Sequence, residues 1–172
     1  WKCAVCGHSW KSNIYNRSKG NQCPKCRESR GEKKISKFLD KNAIFYIPQH
    51  RLEGCRNILP LRFDFYISKY NLCIEYQGKQ HYQEFEGKFF DNKYKLKERQ
   101  KLDKIKDNYC KNNNIPLLII PYWEFNNIEK ILAKKLFSLI FNQYVLSSKN
   151  FLFKTKIKFK VAIVFNFSIL YK

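Results

Sequence analysis

Leu61-Arg62-Phe63-Asp64-Phe65-Tyr66-Ile67-Ser68, then Lys69-Tyr70-Asn71, then Leu72-Cys73-Ile74-Glu75-Tyr76-Gln77 is the stretch that decides how this chain folds. In the first segment Leu61, Phe63, Phe65 and Ile67 alternate onto one face of a strand, which leaves Asp64 on the other face between aromatic neighbours. The second segment alternates in the same way and puts Glu75 and Gln77 on one face. A hairpin turning between Lys69 and Tyr70 sets Asp64 directly opposite Glu75, although Lys-Tyr is not a favoured two-residue turn. Two carboxylates on an apolar strand pair repel each other and lose hydration unless a cation sits between them. Magnesium accepts a few carboxylate oxygens together with water and phosphate oxygens, so it suits such a pair. Two acids solvated on an open sheet face fit the same alternation.

Outward from this hairpin, Gly31-Glu32 opens a helix with Ile35, Phe38 and Leu39 on one face. Ala43–Ile47 is β-prone, and Pro48 is expected to end it. A long charged helix runs from Asp91 to about Asn113, with Leu102, Ile105 and Tyr109 inward. Leu117–Ile120 has the all-apolar character of a strand buried on both faces. Asn126 followed by Glu129 has the pattern of a helix N-cap, and Ile128, Ile131, Leu132, Leu136 and Leu139 mark that helix's inner face. The order α-β-β-β-α-β-α predicts an α/β fold, a mixed (α+β) sheet with helices packed on it. Three segments follow: 1–29, a core over 30–141, and a basic, apolar extension over 142–172, to which the sequence assigns no role.

Glu32 shares its helical face with Ile35 and Leu39 and so points toward the sheet. It is either a third carboxylate of a metal site or an ordinary first-turn acid favoured by the helix dipole. Gly78-Lys79-Gln80-His81-Tyr82 leaves the strand that carries Glu75. His81 there can orient or deprotonate a water, or protonate a leaving oxygen, or stand simply solvated.

The seven cysteines divide by spacing. Cys3-Ala4-Val5-Cys6 and Cys23-Pro24-Lys25-Cys26 are two knuckles that together supply four thiolates for a tetrahedral, structural zinc with no open position for water. His8 is an alternative ligand or a surface residue. A module this small lacks a hydrophobic core of its own, so metal binding must supply its stability. Cys55, Cys73 and Cys110 are scattered through apolar contexts and read as buried thiols. An odd, half-clustered set fits an intracellular chain with metal ligands, not a disulfide scaffold. No secretory signal or apolar run of membrane-spanning length is present, Val161–Leu170 being too short. The chain begins at Trp1 and has no Met, which predicts a piece of a longer protein.

With 34 Lys+Arg against 14 Asp+Glu, the net charge of +20 is spread over all three segments. Polyanions suit such a balance, because each neutralised phosphate releases condensed counterions; lysine used for solubility, or a membrane surface, fits the same excess. Lys11 and Arg17 in the module, Lys79 in the loop, and Lys95 and Arg99 on the long helix are candidate nucleic-acid contacts.

Gly31-Glu32, Arg62-Phe63-Asp64-Phe65, Ile74-Glu75-Tyr76-Gln77-Gly78 with Gln80-His81-Tyr82, and Asp103 with Lys106, Tyr109 and Cys110 together resemble the PD-(D/E)xK nuclease superfamily. Within it they are most similar to very-short-patch-repair endonucleases and related phage homing endonucleases. The resemblance covers roughly residues 30–140. It implies a restriction-endonuclease-like fold and magnesium-dependent hydrolysis of DNA, with Asp64 and Glu75 on the metal, Glu32 in support and His81 assisting. The chain departs from the pattern at Gln77, where the superfamily often has Lys; Lys79 is a nearby source of charge. Asp103 either holds His81 or forms an ordinary salt bridge. The N-terminal module resembles small zinc-ribbon repeats found beside nucleases in phage and giant-virus proteins. That implies a phage- or virus-encoded protein acting in the cytoplasm, nucleus or nucleoid. Two rival readings stay open: a catalytically inactive, zinc-containing DNA-binding protein, and an RNA-directed nuclease.

Overall fold

The computed structural model describes residues 1–4, 7–18, 23, 28–83 and 92–147. The elements are α1 (Ile14–Ser18), α2 (Arg30–Lys41), β1 (Ile47–His50), β2 (Phe63–Ile67), β3 (Leu72–Gln77), α3 (Asn92–Asn112), β4 (Leu117–Pro121) and α4 (Ile128–Ser147). The strands form a mixed sheet in the order β1-β2-β3-β4: β1, β2 and β3 pair antiparallel in turn, and β4 runs parallel to β3. The mixed sheet with packed helices agrees with the order read from the sequence. Of the extension over 142–172, residues 142–147 belong to α4 and 148–172 lie outside the described residues.

The main core is built from the faces that the periodicities mark. Ile35, Phe38 and Leu39 of α2 meet Phe65, Ile67, Leu72 and Ile74 of the hairpin and Ile128, Leu132 and Leu136 of α4. Each fully buried aliphatic or aromatic side chain contributes ~1.5–3 kcal/mol relative to leaving it in water. A second, smaller cluster joins the buried thiols Cys55, Cys73 and Cys110 to Phe63, with Leu61, Tyr66 and Tyr109 against it. Phe63 and Leu61 therefore do not share the environment of Phe65 and Ile67, as strict alternation predicts. The change falls at Asp64.

Four local expectations are corrected. The first strand spans Ile47–His50, not Ala43–Ile47, and Ala43 instead turns the chain at φ 52°. Pro48 lies within this strand, opposite Phe65; β1 is at the sheet's edge, where a residue without an N–H is tolerated. β4 is the other edge among the described residues, and Ile119 is 38% exposed where burial on both faces was expected. Finally, Asn126 does not cap α4. A 3-10 turn over Tyr122–Asn127 leads straight into the helix, with the Asn127 amide donating to Glu124.

α2 lies close against β3. A Cβ on Gly31 would come within 2.1–2.3 Å of the Tyr76 ring, which no packed pair tolerates. Gly31→Ala is therefore expected to destabilise the fold by about 1–3 kcal/mol, outweighing alanine's helix preference. In a Tyr76→Ala background the same change should be neutral or stabilising; equal losses in both backgrounds by thermal melts would show that the clash is not the cause.

Candidate active site

The hairpin pairs Ile67 with Leu72, Tyr66 with Cys73 and Phe65 with Ile74; the paired ladder ends there, and Asp64, one residue before Phe65, meets β3 through its side chain, close enough for its charge to act on Glu75. The turn is a 3-10 turn over Ser68–Tyr70 closed by Asn71 at φ 49°, not a two-residue turn. Asparagine tolerates the left-handed region better than most residues, and here its Oδ1 accepts the Tyr66 hydroxyl at 2.9 Å.

Asp64 is held at both oxygens. Oδ2 accepts the Tyr76 backbone N–H at 2.8 Å, and Oδ1 accepts Gln49 Nε2 at 3.3 Å. Gln49 sits at φ 51°, an uncommon conformation for a residue with a side chain and one that clusters at functional sites. Burial pushes the Asp64 carboxyl above its ordinary range, and the Glu32 charge adds to this, against the opposing pull of the Tyr76 N–H and of Lys106.

Glu75 is buried, at 6% exposure. Burial first, and the Asp64 charge next, push its carboxyl up to about 8. They do so although Lys106 of α3 donates from Nζ to Oε1 at 2.8 Å, because desolvation outweighs the pairing. The sequence alone assigns Lys106 no role. Its signal was spacing: Asp103, Lys106 and Cys110 fall on one helical face, and Cys110 packs beside Cys73, which shares Glu75's strand face.

The other candidates divide. Glu32 is near enough to act on Asp64, yet its Oε1 accepts the Ser29 N–H at 3.3 Å while its own N–H donates to Ser29 Oγ at 3.2 Å. This is a reciprocal capping box at the start of α2, so the first-turn role is present alongside any role at the site. Gln77 is buried, and its Oε1 accepts the Tyr82 hydroxyl at 2.5 Å. His81 Nδ1 lies 2.7 Å from Asp103 Oδ2, so the two residues whose association the sequence left open are partners. Arg99 donates from Nη1 to the Gln80 carbonyl at 3.2 Å, and Lys79 lies 5.7 Å from the centre of the Tyr122 ring. Lys95 is exposed on α3. Among the described residues no set of three or more His, Cys, Asp or Glu side chains converges on one metal position. Magnesium does not need one, since it is commonly held by one or two carboxylates with water and substrate phosphate.

At the N-terminus, the Gly7 N–H donates to the Cys3 carbonyl and the Cys3 N–H to the His8 carbonyl, each at 2.9 Å, with Gly7 at φ 70°. This tight turn suits the first Cys-x-x-Cys knuckle. Cys3 is half-buried and Cys23 buried, which suits thiolate ligation; Cys6 and Cys26 lie outside the described residues. Arg17 packs over both Trp1 and Trp10, at 5.1 and 5.5 Å from the ring centres, and so braces the module. Lys11 is exposed. Cys23→Ser is expected to lower bound zinc from one equivalent to none and to unfold residues 1–29. The main core shares no residue with this segment and should keep its melting transition. Full zinc retention by the variant, measured by metal analysis, would count against four-thiolate binding.

Residues 1–29 match a family model described as "Probable Treble clef zinc finger domain", which supports a structural zinc and describes a treble clef where a ribbon was expected. The chain is 33% identical over 101 residues to "Uncharacterized protein 033L" of Invertebrate iridescent virus 3, covering 57% of this chain and 52% of the relative. It is 39% identical over 62 residues to "Uncharacterized protein 307L" of Invertebrate iridescent virus 6, covering 36% of this chain and 31% of the relative. Both alignments are too long to lie within the zinc module alone. The chain spans about half the length of the first relative and about a third of the second. No solved structure matches. Viral relatives accord with the expected viral or phage source. No helix among the described residues is long and apolar enough to cross a membrane.

Proposed function

We propose that this chain is a magnesium-dependent DNA endonuclease with a PD-(D/E)xK-type site and a structural zinc module. The observation that carries the reading is the Asp64–Glu75 pair. Its two carboxyls, both pushed upward, sit on adjacent strands, with Lys106 delivered to Glu75 from α3. Buried carboxyls that raise each other's pKa are common at functional sites. Lys106 supplies the positive charge that the pattern's missing lysine at position 77 would have brought.

When bound, the ion supplies Lewis-acid polarisation of a phosphate oxygen and a more acidic water. Tyr76 and Gln49 fix the Asp64 carboxylate so that it need not reorganise on binding. Lys106 orients Glu75 and places a cation where charge develops on the phosphate. His81, with Nδ1 directed at Asp103, would use Nε2 to exchange a proton with a water or a departing oxygen. Gln77, buried and held by Tyr82, can hydrogen-bond a water but brings no charge. Lys11, Lys79, Lys95 and Arg99 supply backbone contacts, an electrostatic share of affinity that falls steeply with salt.

Incubation of the protein with supercoiled plasmid is expected to give nicked or linear DNA with magnesium and none with chelator. Intact plasmid across a range of magnesium concentrations, with binding retained, would favour a DNA-binding protein without catalysis.

A further inference from the structure

The described surface holds an aromatic group whose ring faces the hydrolytic reading leaves unused. Tyr82 follows β3, and Tyr122 and Trp123 follow β4. Because the two strands run parallel, with Gln77 beside Pro121, the three rings meet at the C-terminal ends of the strands. The Tyr82 and Trp123 rings are 4.5 Å apart at 61°, and Tyr122 and Trp123 are 5.1 Å apart at 79°. Edge-to-face contacts of this kind hold each ring in place. Yet Trp123 is 55% and Tyr82 38% exposed, so rings that hold one another still present surface to solvent.

Resting on the proposed nuclease reading, we infer that Trp123 and Tyr82, supported by Tyr122, form a stacking platform for an unpaired base of a DNA strand engaged at the carboxylate site. Three features favour a base over an apolar protein side chain. Lys79 lies over Tyr122, and Arg99 is held against the neighbouring Gln80 carbonyl, so cations for flanking phosphates border the rings. The chain's charge of +20 attracts a polyanion. The platform is also bonded into the site, through the Tyr82 hydroxyl on Gln77, two residues beyond Glu75 on the same strand. Inside a duplex the neighbouring pairs cover each base's faces. Only an unstacked base, in a single strand, flap or gap, can use the platform, and pre-fixed rings lower the entropy cost of binding it.

The test uses the full chain in magnesium-free buffer and measures, by fluorescence anisotropy, affinity for a short oligothymidylate and for a blunt duplex. Trp123→Ala is expected to weaken single-strand binding about tenfold or more and to leave duplex binding unchanged. Trp123→Phe, which keeps a stacking face, should restore most of the lost affinity. An unchanged single-strand affinity in Trp123→Ala, or equal losses on both DNAs, overturns the platform. No cleavage enters the measurement, so it can fail or succeed independently of the nuclease reading. A plasmid assay negative for cleavage alongside a selective Trp123 effect would remove the catalysis and keep the platform.

Discussion

Asp64→Asn is expected to abolish magnesium-dependent cleavage, by about a thousandfold or more, while DNA affinity and the fold survive. The activity loss follows from removing a hard anionic oxygen from the position where a cation worth several kcal/mol of transition-state stabilisation would bind. The fold survives because the asparagine carbonyl can still accept the Tyr76 N–H, and Gln49 can turn its amide to accept from the new NH2 group. Stability should shift in a defined direction. The Glu75 carboxyl is raised in the folded state from 4.5 to about 8, with Asp64 as the principal charge responsible after burial. A carboxyl raised on folding binds its proton more tightly when native, so metal-free stability falls as pH rises from about 4.5 to about 8. Replacing Asp64 lowers Glu75 and removes a second raised acid. The variant should therefore melt at or above the wild-type temperature at pH 8 without metal, and show no such gain near pH 4. Wild-type cleavage rates in Asp64→Asn would place the active site elsewhere.

Lys106→Met should cost about 10²–10³ in cleavage rate, the range seen when one preorganised electrostatic partner is lost from an active site. Its effect on stability depends on pH. Stripping one member from a buried ion pair normally costs several kcal/mol, because a charge is left unpaired in the interior. Glu75 escapes that cost by staying protonated at pH values below about 8. Without Lys106 its folded pKa moves further up, since the pairing was pulling it down. Wild-type stability levels off above about 8, whereas the variant continues to lose stability as pH rises further. Melts of the two proteins should nearly coincide at pH 6 and separate at pH 9, with the variant lower. A variant that cleaves normally would show that Lys106 is only a structural partner of Glu75.

Much of this site was legible in the residues themselves. Alternation along Phe65–Ile67 and Leu72–Ile74 set the hairpin register that brings Asp64 near Glu75, because a strand's period of two leaves little choice once one face must be buried. The apolar stripe Ile35, Phe38, Leu39 oriented α2, and the spacing of the cysteines separated two knuckles from three buried thiols. Pro48 misled because proline's missing donor matters inside a sheet and not at its edge, and strand order is not written locally. Leu117–Ile120 misled for the same reason: an apolar run reports β-character, not how many faces are covered.

The tertiary structure alone decided which distant residues meet. Lys106 is 31 positions from Glu75, and no local pattern says that α3 lies over that part of β3. The ring of Tyr76 against Gly31, the pairing of His81 with Asp103, and the meeting of Tyr82 with Trp123 have the same origin. Glu32 shows the converse: its spacing from Ile35 and Leu39 aimed it at the sheet, while Ser29, three residues back, took one of its oxygens. Periodicity is enforced by the backbone and can be read from neighbours in sequence. Contacts across the sheet depend on how whole elements pack, and those are set by the summed burial of their faces.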